Sequence, residues 1–196
     1  YKEGLPVYET THPPLGKLLI LAGIRIFGAT MFGFRFMGTL FGVLMIPLFF
    51  LFAKRLLKNN ITVYLATLIF TFDFMHLSHT RIASIDSFSV FFIIGAYYFM
   101  TLFYQGFTQN GLNRKILTFL GLSGLFFACS ASVKWTGVYA GFGLLAIYSF
   151  ALAEYSRKYS LNKVLKSLAG YSCLFFIAVP FLVYYFSYFN YLTGFG

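Results

Sequence analysis

Apolar positions in this chain do not alternate with polar ones. They run on for a helix length at a time and are then broken by short polar punctuation. A bilayer-crossing helix needs about 20 mostly apolar residues, because the hydrocarbon core is about 30 Å thick and each residue rises about 1.5 Å. Six stretches meet that length, at roughly 36–53, 61–79, 87–104, 116–133, 135–153 and 167–192. A seventh, roughly 15–33, carries Lys17 and Arg25 within LGKLLILAGIRIFG. Apolar residues at helical spacing with two cations predict an amphipathic helix lying in the membrane interface. The fold class expected from this pattern is all-α: a polytopic helix bundle over 35–196, preceded at 1–34 by part of an outer loop that holds the membrane-lying helix.

Composition supports the pattern. The 196 residues are 59% hydrophobic and only 10% charged, against about 25% charged in a soluble domain. The net charge of +10 does not point to nucleic acid, because the cations are not in one block. They sit between the apolar runs, where the positive-inside rule puts them. The chain opens on Tyr1, with no signal-peptide pattern, and its last residues follow directly on an apolar run. It therefore reads as an internal piece of a longer polypeptide.

The cations divide by side. Loops after the first, third and fifth spans hold KRLLKNN, NRK and YSRKYSLNK, with Glu154 as their one acid. This is the cytoplasmic face by the positive-inside rule, in a multi-pass protein of the bacterial plasma membrane. TTHPPLGK, HTRIASID and SVKWTG then share the outer face. The outer loops collect the unusual chemistry: Glu9, His12 and Lys17, then Arg35, His76 and His79, then Arg81, Asp86, Lys134 and Trp135. Ionisable groups near span ends are costly unless paired or wet, and mark candidate functional sites.

Each of these has a plain structural alternative. Arg35, Arg81 and Lys134 can anchor helix ends by snorkelling. Asp86 can cap or sit in the first turn of the helix it opens. Asp73, about two turns inside the second span, is expected to pair with a nearby Arg or His. Asn60-Ile61-Thr62 fits a glycosylation pattern, but in a loop placed in the cytoplasm, so it is not expected to be occupied. Cys129 and Cys173 read as small apolar fillers. Nucleotide-binding loops, HExxH and zinc spacings are absent from the sequence, and no cofactor or metal is expected.

Against those alternatives stands convergence. Three cations from different spans meet two carboxylates and histidines on one face, and Arg forks with Lys point charges suit phosphate oxygens. Pro13 and Pro14 force extended geometry on His12 and then permit a helix to start. HPPLGK thus predicts a rigid entry that fixes His12 and Lys17 over the membrane surface.

HPPLGK, then the Arg in FRFMGTLFGVLMIPL, then SHTRIASIDSF, then SVKWTG, in this order, resembles the protein O-mannosyltransferase family, and more broadly the GT-C glycosyltransferases that use phospholipid carriers. HPPLGK is the most specific piece, and the resemblance runs from about residue 8 to about 140. It implies a membrane enzyme that moves a sugar, usually mannose, from a polyprenyl-phosphate carrier to a protein Ser or Thr hydroxyl on the outer face, with inversion. The partners so implied are the lipid-linked sugar, the acceptor protein and membrane lipid, with no nucleic acid. The resemblance also implies a catalytic Asp-Glu pair upstream of Tyr1. Glu3 and Glu9 do not match it. Arg35, Arg81 and Lys134 become candidates for the donor's lipid phosphate, and His12 and Asp86 for shaping the site. Thr10 stands where eukaryotic members commonly carry Asp, which favours a bacterial member. Two rivals are a transporter or flippase of a lipid-linked or anionic substrate, and a non-catalytic membrane subunit.

Overall fold

The fold is that of a computed structural model, which describes residues 11–160 and 162–189. Helix α1 is Leu15–Phe27, α2 Met31–Leu56, α3 Asn60–Thr71, α4 Phe74–Thr80, α5 Asp86–Asn110, α6 Arg114–Val133 and α7 Thr136–Ser156. Helix α8, Asn162–Cys173, continues through a π-helical turn, Leu174–Ala178, into α9, Val179–Ser187. No strand occurs among the described residues. Among the described residues five helical segments are long and apolar enough to cross a membrane, and the bent pair α3–α4 makes up to six. Their exposed faces carry large apolar side chains such as Leu68, Phe142 and Phe181. In water such faces would be unstable; against lipid tails they are matched. The protein is an integral, multi-pass membrane protein.

Local chemistry sets the helix ends. Thr30 accepts from the Gly33 N–H at 3.1 Å, Asn59 from Ile61 at 2.9 Å and Asn113 from Ile116 at 3.0 Å, which satisfies orphan donors of the first turns. Gly28, at φ 77°, ends α1 and lets the chain turn at once into α2. The expected interfacial helix is α1. Its 13 residues span about 20 Å, too short to cross a bilayer. The first span differs from expectation: α2 starts at Met31, so Arg35 lies a turn inside it. The last expected span, 167–192, is helical from Asn162 to Ser187, and its residues 190–192 lie outside the described ones.

The second span is not one helix. It breaks between Thr71 and Phe74 and bends by 50°. Asp73 is the cause: its carboxylate accepts the His76 backbone N–H at 3.0 Å and starts a new helix, α4. Asp73 thus caps α4, and its charge also acts on the nearby His76 side chain, the kind of neighbour expected for it. In the last span, the π turn precedes Pro180. Proline has no N–H and its ring collides with the carbonyl four residues earlier, so a widened turn there relieves both problems.

The core lies between α5, α6 and α7. Phe103, Phe107 and Tyr155 stack in its lower half. Ser123 donates to the Ala96 carbonyl at 2.8 Å, and Ser89 and Ser130 meet at 3.3 Å. Such buried hydroxyl contacts hold spans together where lipid removes the hydrophobic drive. At Gly124 a Cβ would come within 2.6 Å of the Phe175 carbonyl oxygen, so glycine is what lets the π turn seat on α6.

Cross-bundle contacts define two ends. At one end Gln105 donates to the Arg55 carbonyl and Tyr104 to Glu154; this is the basic end. At the other, Lys134 meets Asp86, Thr39 donates to the Thr80 carbonyl, and Trp135 packs on Tyr184. The alternation of loop character read from the sequence is therefore an alternation in space.

Candidate functional site

The site is at the Asp86 end, where three junctions converge. The chain leaves α4 at Arg81, makes a short turn, and enters α5 at Asp86. Asp86 is the first residue of α5, and Ile85 occupies the cap position with no side-chain hydrogen bond. The carboxylate does not cap the helix. It turns across the bundle, and Lys134 Nζ donates to its Oδ1 at 2.6 Å. Ser84 Oγ donates to Oδ2 at 3.0 Å and accepts from the Asp86 N–H at 3.2 Å. His79 Nδ1 stands 3.6 Å from Oδ2 and 3.5 Å from Ser84 Oγ. Ser87 Oγ donates to the His79 carbonyl at 2.9 Å, which pins the end of α4 to the start of α5. Lys134 and Asp86 side chains keep 26% and 35% of their surface exposed. The pair is half-buried, reachable and already charge-matched.

A recess of about 410 Å³ opens beside this pair. His76, His79, Asp86 and Lys134 supply its polar wall, and Met45, Met75 and Val90 its apolar wall. The recess is amphipathic, as a site for a charged head on an apolar tail would be.

HPPLGK reaches this site through packing. Pro13 and Pro14 are wholly buried, and α1 starts directly after them. A Cβ on Gly16 would lie 2.8 Å from Ile85 Cγ2 and 3.1 Å from Val133 Cγ1. Those two residues precede Asp86 and Lys134 in the chain. The first turn of α1 is thus wedged against both backbone segments that present the ion pair. His12 is half-buried, and its Nδ1 is buried without a hydrogen-bond partner among the described residues.

Of the residues singled out by sequence, the structure brings Asp86 and Lys134 into contact and sets HPPLGK behind them. Arg81 ends α4 and is exposed; Arg35 is exposed on α2, one turn from Gly38, which faces the Ile82 carbonyl. Neither guanidinium has an ion-pair partner among the described residues, and neither lines the recess. Glu9 lies outside the described residues. Sequence reasoning missed the roles of His79 and Ser84 as partners of Asp86. The signal was local: HTRIASID is too short and too polar to be anything but a tight return between two helices.

The comparisons with known proteins bear on this geometry. Residues 22–192, most of the chain, match the family described as dolichyl-phosphate-mannose-protein mannosyltransferase. The chain belongs to that family. Among curated members, a polyprenol-phosphate-mannose–protein mannosyltransferase of Corynebacterium glutamicum is 28% identical over 90% of this chain. One of Mycolicibacterium smegmatis is 27% identical over the same share. The chain spans 38% of the length of either relative. A dolichyl-phosphate-mannose–protein mannosyltransferase of Saccharomyces cerevisiae is 28% identical over 67% of this chain, which spans 19% of that protein. In fold, this mannosyltransferase-family chain is similar to a solved S. cerevisiae protein O-mannosyltransferase complex bound to the sugar donor. The TM-score is 0.81 at 19% identity, covering 96% of this chain and 28% of that one.

Proposed function

We propose that this chain is the part of a protein mannosyltransferase that binds the phosphate end of a polyprenyl-phosphate-linked sugar, on the extracytoplasmic face of the membrane. The observation that carries the reading is the Lys134–Asp86 pair in its amphipathic recess, backed by HPPLGK. Family membership supplies the chemistry it serves. The bond between the sugar C1 and the phosphate oxygen breaks, and its electron pair stays on the polyprenyl phosphate. The acceptor Ser or Thr oxygen forms the new bond to C1 from the opposite face, which inverts it. The hydroxyl proton goes to a carboxylate base, the Asp-Glu pair expected upstream of Tyr1. Lys134 offers an ammonium to the leaving phosphate while Asp86 and His79 hold it in place. Arg81 and Arg35, exposed at the same end, are further donors to the lipid phosphate. His12 shapes the entry behind them.

The test is transfer of mannose from polyprenyl-phosphate-mannose to a Ser/Thr peptide by the intact enzyme. Lys134→Gln is expected to lower turnover about 100-fold, the scale for losing one preorganised group facing developing charge. Arg35→Ala is expected to cut transfer strongly as well. Turnover near wild type in both variants would overturn the phosphate role.

A further inference from the structure

The basic end of the bundle contains a second recess, at the opposite end from Asp86. Between the end of α2 and the α5–α6 turn lies a recess of about 300 Å³. Arg55 and Lys115 line it, together with the carboxamides of Gln105, Gln109, Asn110 and Asn113. No carboxylate among the described residues lines it. Glu154, in the last turn of α7, does not line it and accepts the Tyr104 hydroxyl at 2.6 Å. Neither Arg55 nor Lys115 has an ion-pair partner among the described residues. Lys115 Nζ instead lies 5.9 Å from the Phe119 ring centroid. The Asn113 side-chain oxygen is used by the Ile116 N–H, which leaves its NH₂ group as a donor.

An apolar slot of about 270 Å³ adjoins this recess. Leu56, Ile147 and Phe150 line it, with Tyr104 and Gln105 at its polar edge. Gln105 belongs to both spaces, and its Nε2 is fixed by the Arg55 carbonyl at 3.1 Å. Leu56 and Phe150 are 58% and 69% exposed. A donor-rich, cationic recess lined by no carboxylate, sharing Gln105 with an apolar slot whose Leu56 and Phe150 are exposed, matches the two halves of one molecule.

We infer that this end of the bundle holds an anionic phospholipid of the surrounding bilayer, its headgroup phosphate between Arg55 and Lys115 and one acyl chain in the slot between α5 and α7. Arg forks and Lys charges with neutral N–H donors complete the shell of a phosphodiester, and basic recesses between spans are where such headgroups bind. The bound lipid ties α2, α5, α6 and α7 together at the end farthest from the Asp86 recess. The site does not depend on the transfer reaction.

The experiment is native mass spectrometry of the intact protein, released from detergent containing either phosphatidylglycerol or phosphatidylcholine of matched chains. Wild type is expected to retain phosphatidylglycerol at least about tenfold better, since each cation near the headgroup adds about a factor of five. Arg55→Gln/Lys115→Gln is expected to lose that preference, while Lys58→Gln, a cation of the same end outside the recess, keeps it. Should the double variant fail to fold, competition on wild type decides. Short-chain phosphatidylglycerol should displace the bound lipid and inorganic phosphate should not. Equal retention of both lipids, an unchanged double variant, or displacement by inorganic phosphate as effective as by the short-chain lipid would each overturn the inference. Because retention is read without any sugar transfer, its failure is separable from failure of the mannosyltransferase reading.

Discussion

Lys134 and Asp86 stand 48 residues apart in sequence and 2.6 Å apart in space. Each is the other's reason for being half-buried. Removing one weakens the other's charge balance, at a cost of about 1 kcal/mol for a pair this exposed. The single substitutions Asp86→Asn and Lys134→Gln should therefore each lower the thermal midpoint, and the double variant should lose less than their sum. A double-mutant cycle by thermal unfolding checks this, and strict additivity would deny the coupling. Gly16 makes the sharper case. A methyl group there meets Ile85 at 2.8 Å, so Gly16→Ala must push the segment that carries Asp86. The expected loss is about 1–3 kcal/mol. Transfer by the intact enzyme should fall alongside it, and a variant with wild-type stability would show that the wedge is slack.

At the scale of an element, the broken second span is the informative one. TVYLATLIFTFDFMHLSHT reads as one run of apolar residues, and its hydropathy is right for a single helix. The break comes from one capping bond, from the His76 N–H to Asp73, which turns α4 by 50° and brings His76, His79 and Thr80 to the recess wall. Asp73→Ala removes the cap, at about 1 kcal/mol. Hydrogen exchange in the intact protein should then rise across Phe74–Thr80 and not across α3. Unchanged protection would mean that packing alone holds α4. Length and hydropathy could not disclose the break, because a capping residue inside an apolar run looks the same as a buried, paired carboxylate.

For the whole molecule, the contacts sort the loops into two sets. The turns at 57–59, 111–113 and 157–160 share one end with Arg55 and Glu154, while 82–85 and 134–135 share the other with Asp86. On a background lacking Cys129 and Cys173, single cysteines at Lys58, Leu112 and Tyr159 should react with a membrane-impermeant maleimide from one side only. Cysteines at Ala83 and Trp135 should react only from the other. The orientation proposed above predicts that the first side is the cytoplasmic one. Mixed labelling within either set would contradict the fold.

Much of this was legible from sequence. In lipid every span must satisfy its own backbone hydrogen bonds, so helix number, length and alternation of loop charge are local properties that a run of residues declares by itself. The family is legible for a related reason: HPPLGK, RIASIDS and KWTG keep their order along the chain whatever the packing between them. What the tertiary structure alone decided is which of the unusual residues meet. Arg35, Arg81 and Lys134 looked alike as cations of one face, yet among the described residues only Lys134 acquired a carboxylate partner and a place in the recess. Hydrophobic period cannot separate them, because it records how far a helix is buried and not what stands opposite. That depends on how α5 and α6 pack, through contacts such as Ser89–Ser130 and Ser123–Ala96, and on the close seat of Gly16 against Ile85 and Val133.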